Sequence, residues 1–183
     1  MDSAAPLDDA AGVPPLVTVS RGESAGGAQW TIRVGGTRAD CLTLMEIEFA
    51  DGRRGAGGGL GGPALATDRL MNVSWHRSDS GVTFVVGRVH PSVVRVRVHL
   101  TDAGLSAIDL VPAGDPNLFG VRFVGTVLPP AARPVAIRAL DGSGEPVDGD
   151  DLSGQNGVLD RVEDFGPDAA GRTEPAGGGW YPG

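Results

Sequence analysis

The sequence predicts an all-β protein, an immunoglobulin-like antiparallel β-sandwich of about seven to nine strands. Three observations carry this. Between Leu16 and Val147, apolar residues alternate with polar ones at a period of two, and β-branched residues are concentrated in those runs. No stretch shows a helical period. Gly 30 and Pro 14 together are nearly a quarter of the 183 residues, which suits many turns better than long helices.

The runs can be taken in order. Leu16 to Arg21 reads as an edge strand. Trp30, Ile32 and Val34 alternate with Gln29, Thr31 and Arg33, and Cys41, Thr43, Met45, Ile47 and Phe49 share one face. Val82, Phe84 and Val86 share another. Val94, Val96, Val98 and Leu100 alternate with Arg95, Arg97 and His99. Phe119, Val121 and Phe123 follow, then Val135, Ile137 and Ala139. Turn residues separate the runs, as at Ser78-Asp79-Ser80-Gly81 and Asp141-Gly142-Ser143-Gly144. Each short strand has one face to bury, and two packed sheets accomplish that. A closed barrel is the alternative.

Composition divides the chain into three. Residues 1–15 are Ala-, Asp- and Pro-rich and read as a disordered leader. Residues 16–147 are the sandwich domain. Residues 148–183 are an acidic, Gly/Pro-rich tail, expected to be mobile apart from a short helical turn around Val158 to Asp164.

All fifteen basic residues are Arg. Without Lys there is neither a P-loop amine for phosphates nor a Schiff-base nucleophile. The net charge of -8 opposes a general nucleic-acid binder, which needs a positive face. The single cysteine, Cys41, forbids an intramolecular disulfide and leaves cysteine-based zinc sites without ligands. The N-terminal Met1-Asp2-Ser3-Ala4-Ala5-Pro6 has no apolar signal region, and no run approaches eighteen apolar residues. The expectation is a cytoplasmic protein without membrane insertion.

Gly87-Arg88-Val89-His90-Pro91, then Val94 to Leu100 with its alternating Arg, Phe119-Gly120-Val121-Arg122-Phe123, and a run from Pro134-Val135 to Leu140-Asp141-Gly142 form an ordered set. This set resembles an uncharacterised β-rich, immunoglobulin-like domain of actinobacterial proteins, over about residues 84–147. The lysine-free, Ala/Gly/Arg/Val-rich usage suits a high-GC bacterium. Such domains often follow a membrane span or a longer N-terminal region, and this sequence has no span. The resemblance implies a β-rich fold and no particular activity.

Several segments match motifs that carry chemistry in other proteins. Gly22-Glu23-Ser24-Ala25-Gly26 fits the nucleophile-elbow pattern, but the residues after it lead into a strand instead of a helix. Gly57, Gly59 and Gly62 fit the dinucleotide pattern, yet Pro63-Ala64-Leu65-Ala66 offers no helix to receive a pyrophosphate, so a long hairpin loop is expected. Asp148, Asp150, Asp151, Asp160, Glu163 and Asp164 cluster without calcium-loop spacing and read as a solvated tail. Trp75-His76 reads as core or rim packing, and Cys41 as a buried inert thiol. No catalytic, cofactor-binding or metal-binding residue is assigned, and no cofactor is expected.

These readings point to a non-enzymatic protein–protein interaction module with an unidentified protein partner. The candidate contacts are Arg95, Arg97 and His99 on one strand face, and Phe165, Trp180 and Tyr181 in the tail, because aromatics anchor interfaces and charges select partners. The rival is a small-ligand binder or hydrolase whose site is assembled from separate strands, with His76, His90 or His99 as its candidate histidines.

Overall fold

The computed structural model describes residues 15–24, 26–54, 57–78, 81–101 and 106–152. The expected helical turn at Val158 to Asp164, the leader apart from Pro15, and Phe165, Trp180 and Tyr181 lie outside the described residues. Those residues form eleven strands and one helical turn. In chain order these are β1 (Val17–Glu23), β2 (Gln29–Gly36), β3 (Cys41–Glu48), β4 (Gly58–Leu60), β5 (Met71–Arg77), β6 (Thr83–Val89), β7 (Arg95–Thr101) and β8 (Ala107–Leu110). They continue with the turn α1 (Pro116–Phe119), β9 (Arg122–Val127), β10 (Arg133–Leu140) and β11 (Pro146–Asp151).

The all-β class is as expected; the layering is not. Every strand pairs antiparallel, in three sheets ordered β1-β2-β3-β4, β5-β6-β9 and β11-β10-β7-β8. The three-stranded sheet lies between the other two. One face carries Phe84, Val86 and Phe123 into a core with Ile32, Val34, Cys41, Met45 and Ile47 of the first sheet. The opposite face carries Met71, Val85, Val89 and Val124 into a core with Val96, Val98, Leu100, Ile137 and Ala139 of the third.

This accounts for β6, whose seven residues are all buried. A strand with one wet face alternates, whereas one covered on both faces reads as a continuous apolar run. Val82, Phe84 and Val86 do share a face, but their intervening neighbours are equally covered. Close packing of the middle sheet requires Gly87. A Cβ there would stand 2.6 Å from Val73 Cα and 2.7 Å from the Asn72 carbonyl of the paired strand.

Other strands went unmarked by pattern. β5 runs through Trp75-His76, and His76 stacks on Phe84 with ring centroids 5.2 Å apart. β4 occupies part of the expected hairpin loop, its glycines lying against β3. Phe119 belongs to no strand. Asp115 caps α1 by accepting the Asn117 amide, Pro116 fixes the first turn, and Gly120 ends it at φ 72°, so the strand begins only at Arg122.

The domain boundary at 147/148 is also corrected. Residues 146–151 form β11, and Leu152 is buried with its amide bonded to the Val135 carbonyl. Asp148 and Asp150 are held by specific partners. Asp148 Oδ2 accepts from Arg69 Nε at 3.0 Å and from the amides of Leu70 and Met71 at 2.8 and 3.0 Å. Asp150 receives Arg69 Nη2 at 2.9 Å. A composition dominated by Asp and Gly concealed a strand that pairs with β10 and whose carboxylates find partners nearly eighty positions earlier.

Candidate functional site: the outer face of the third sheet

Alternation along β7 sends Val96, Val98 and Leu100 into the core, so Arg95, Arg97 and His99 stand on the opposite, outer face. The register places neighbours beside them. Arg97 lies opposite Asp109 of β8 on one side and Arg138 of β10 on the other, while His99 lies between Ala107 and Ala136.

Asp109 joins the two β7 arginines. Arg97 donates Nε to Oδ1 at 2.7 Å and Nη2 to Oδ2 at 2.9 Å, a bidentate pair, and Arg95 Nη1 approaches Oδ2 at 3.2 Å. The Arg97 hydrogen bond holds the Asp109 carboxyl below its ordinary value despite opposing burial, and Asp109 in turn raises the Arg97 guanidinium. One carboxylate therefore serves two cations. Arg138 lies over Gly149 of β11, where a Cβ would meet its Cδ at 2.6 Å, and its Nη1 donates to the carbonyls of Ile137 and Asp150 at 3.1 and 2.7 Å. Three guanidinium groups from β7 and β10 thus line one face with Asp109, and Asp151 stands further out, opposite Ala136. Aliphatic side chains border the stripe: Val111, just past β8, is 76% exposed, and Val147 of β11 is also exposed.

The expected stripe Arg95, Arg97 and His99 is thus placed on one face. Sequence reasoning missed Arg138 and Asp109, which only the pairing register brings alongside. At the Arg95 end a shallow depression of about 190 Å³ is lined by Val94, Arg95, Leu140 and the hairpin 141–144. That is below the several hundred Å³ typical of small-molecule sites. Asp141 Oδ1 is engaged by the Ser143 and Glu145 amides and the Ser143 hydroxyl, so this carboxylate shapes its own turn.

The remaining motifs resolve structurally. Ser24 Oγ accepts the Ala28 amide within the turn from β1 to β2, and a strand, not a helix, follows. His90 Nδ1 lies 2.7 Å from Ser92 Oγ in an exposed turn. Cys41 is buried, with its sulfur 3.8 Å from Thr43 Oγ1. Among the described residues, no group of three or more His, Cys, Asp or Glu is placed to hold a metal ion, and no helix is long and apolar enough to cross a membrane.

A buried charge was missed altogether. Arg88 of β6 is fully buried and reaches toward the first sheet. Its Nε donates to Thr43 Oγ1 at 2.8 Å, Nη1 to the Gly62 and Pro63 carbonyls at 3.1 and 2.7 Å, and Nη2 to the Leu60 carbonyl. Burial pulls its pKa down, opposed by the proximity of Cys41 and Asp40. Its partners are neutral oxygens, so this arginine anchors the chain at Leu60–Pro63, the segment read as a dinucleotide-like loop. The available signal was a lone Arg inside an apolar run.

Compared with known proteins, the chain matches no family model, no curated protein and no solved structure.

Proposed function

We propose that this protein is a non-enzymatic protein-interaction module that presents the outer face of its third sheet to an acidic partner surface. The observation that supports this is the stripe of Arg95, Arg97 and Arg138 across two strands, with Asp109 as the carboxylate shared by Arg95 and Arg97. Arginines in this setting offer planar, bidentate donors to carboxylates, and the exposed Val111 and Val147 add apolar area beside them. Asp109 holds the Arg95 and Arg97 guanidinium groups, and backbone carbonyls hold that of Arg138, before a partner arrives, which lowers the ordering cost of binding. The immunoglobulin-like, actinobacterial relationship belongs to the same proposal and rests on the strand pattern of residues 84–147.

The test is capture of partners from a high-GC actinobacterial lysate by the immobilised full chain, identified by mass spectrometry. The double variant Arg97→Glu/Arg138→Glu should lose a partner that Arg33→Glu, on the first sheet, retains. Equal capture by both variants refutes the assignment to this face.

A further inference from the structure

We infer that residues 158–165 of this same chain are an internal ligand of the arginine face, competing there with an outside partner. The inference rests on the reading of that face as the interaction surface, and it concerns the regulation of that site.

The first argument is where the chain departs. It leaves the described body at Leu152, at the end of β11, an edge strand of the third sheet itself. Asp151 lies opposite Ala136, which lies opposite His99. Arg97 is therefore two strand spacings away and two residues along, roughly 12 Å over the surface. Asp160 lies eight positions beyond Leu152. Extended, that stretch reaches up to about 27 Å. The segment can thus cross β10 and arrive at β7 with slack.

The second argument is chemical complementarity. Residues 158–165 read Val-Leu-Asp-Arg-Val-Glu-Asp-Phe, with three carboxylates against one arginine and four apolar side chains among them. The face offers arginines flanked by exposed Val111 and Val147. The charge distribution agrees. Residues 15–152 hold thirteen arginines and fifteen carboxylates, close to balance, whereas residues 153–183 hold five carboxylates and two arginines. A tether this short gives the segment an effective concentration of order millimolar, enough for a weak contact to be populated.

The experiment uses the full chain and its variant Asp160→Asn/Glu163→Gln/Asp164→Asn, which alters no described residue. Assigned amide NMR spectra of the two should differ at Arg95–His99 and Ala107–Asp109. A synthetic peptide of residues 156–168, added in trans, should bind the variant about tenfold more tightly than the native chain, as expected for a ~0.1 mM contact released from ~1 mM internal competition. Spectral differences confined to residues 153–183, or equal peptide affinities, overturn the inference. Differences at β7 and β8 that fade on tenfold dilution also overturn it, because they place the segment on a second copy. The two readings fail separately: partner capture lost in Arg97→Glu/Arg138→Glu with unchanged β7 and β8 amides leaves the face and removes the internal ligand.

Discussion

Replacing Arg88 by Met tests how the middle sheet holds the first. The substitution keeps an unbranched chain and removes every donor. The Thr43 hydroxyl is fully buried and accepts from Arg88 Nε, so it would be left with only the weak Cys41 sulfur contact, at a cost of about 1–3 kcal/mol. The carbonyls of Leu60 and Pro63 also lose the Arg88 donor, while Gly62 keeps the Cys41 amide; that stretch is partly exposed and water can serve it at lower cost. Removing a buried cation relieves desolvation and offsets part of the loss. The net expectation is a destabilisation of about 2–4 kcal/mol. Urea unfolding should then show a midpoint lower by about 1–2 M at unchanged slope, taking a slope of about 2 kcal/mol/M. Hydrogen exchange should accelerate at Cys41 and Ala64, whose amides bond to the Gly62 and Arg38 carbonyls. Thr43→Val should be costly in the native background and nearly neutral beside Arg88→Met, a coupling of about 1–2 kcal/mol. A loss under about 1 kcal/mol for Arg88→Met, or strict additivity with Thr43→Val, would refute the clamp.

Two other perturbations follow from the same geometry. Burial works to raise the Asp148 pKa, but Arg69 and the amides of Leu70, Gly149 and Met71 outweigh it, so the folded value lies below 3.8. A depressed carboxyl stabilises the fold above its unfolded pKa and loses that contribution as pH falls through the folded value. Asp148→Asn should therefore cost about 1–3 kcal/mol at neutral pH, and thermal melts should show the gap from the native chain closing below about pH 4; a constant gap down to pH 2 would count against it. Gly87→Ala should be far costlier than Gly125→Ala. The new methyl at 87 meets backbone, while at 125 it meets the movable ends of Ile32 and Met45 at 2.8 and 3.3 Å and the Val85 carbonyl at 3.2 Å. We expect more than about 3 kcal/mol against about 1–2 kcal/mol, and equal melting shifts for the two would show that the sheets can spread.

Period-two patterning located the strands that have one wet face. Cys41, Thr43, Met45 and Ile47 are all buried as a set, and Val96, Val98 and Leu100 face inward as their spacing requires. The pattern fails where its premise fails. β6 is covered on both sides, so its run Thr83-Phe84-Val85-Val86 has no period to read, and the existence of a third sheet was hidden with it. β4 and β11 were invisible for a different reason. Their residues are mostly Gly and Asp, and they are strands because of what they pair with: Met45, Leu44 and Thr43 for one, and Ala136 to Leu140 for the other. The Arg95–Arg97–His99 face was legible because alternation is local. Asp109 and Arg138, which complete it, depend on register between strands distant in sequence, and no local signal carries that.

The placement of β5, β6 and β9 between two cores has a consequence for how the molecule comes apart. Neither outer sheet can leave without baring one side of β6, so the protein has no seam along which half of it melts first. Trp30 packs in the core of the first sheet and Trp75 in that of the third. These two indoles are therefore reporters on opposite sides of a shared wall, and damage done beside one should be felt at the other as a single cooperative event.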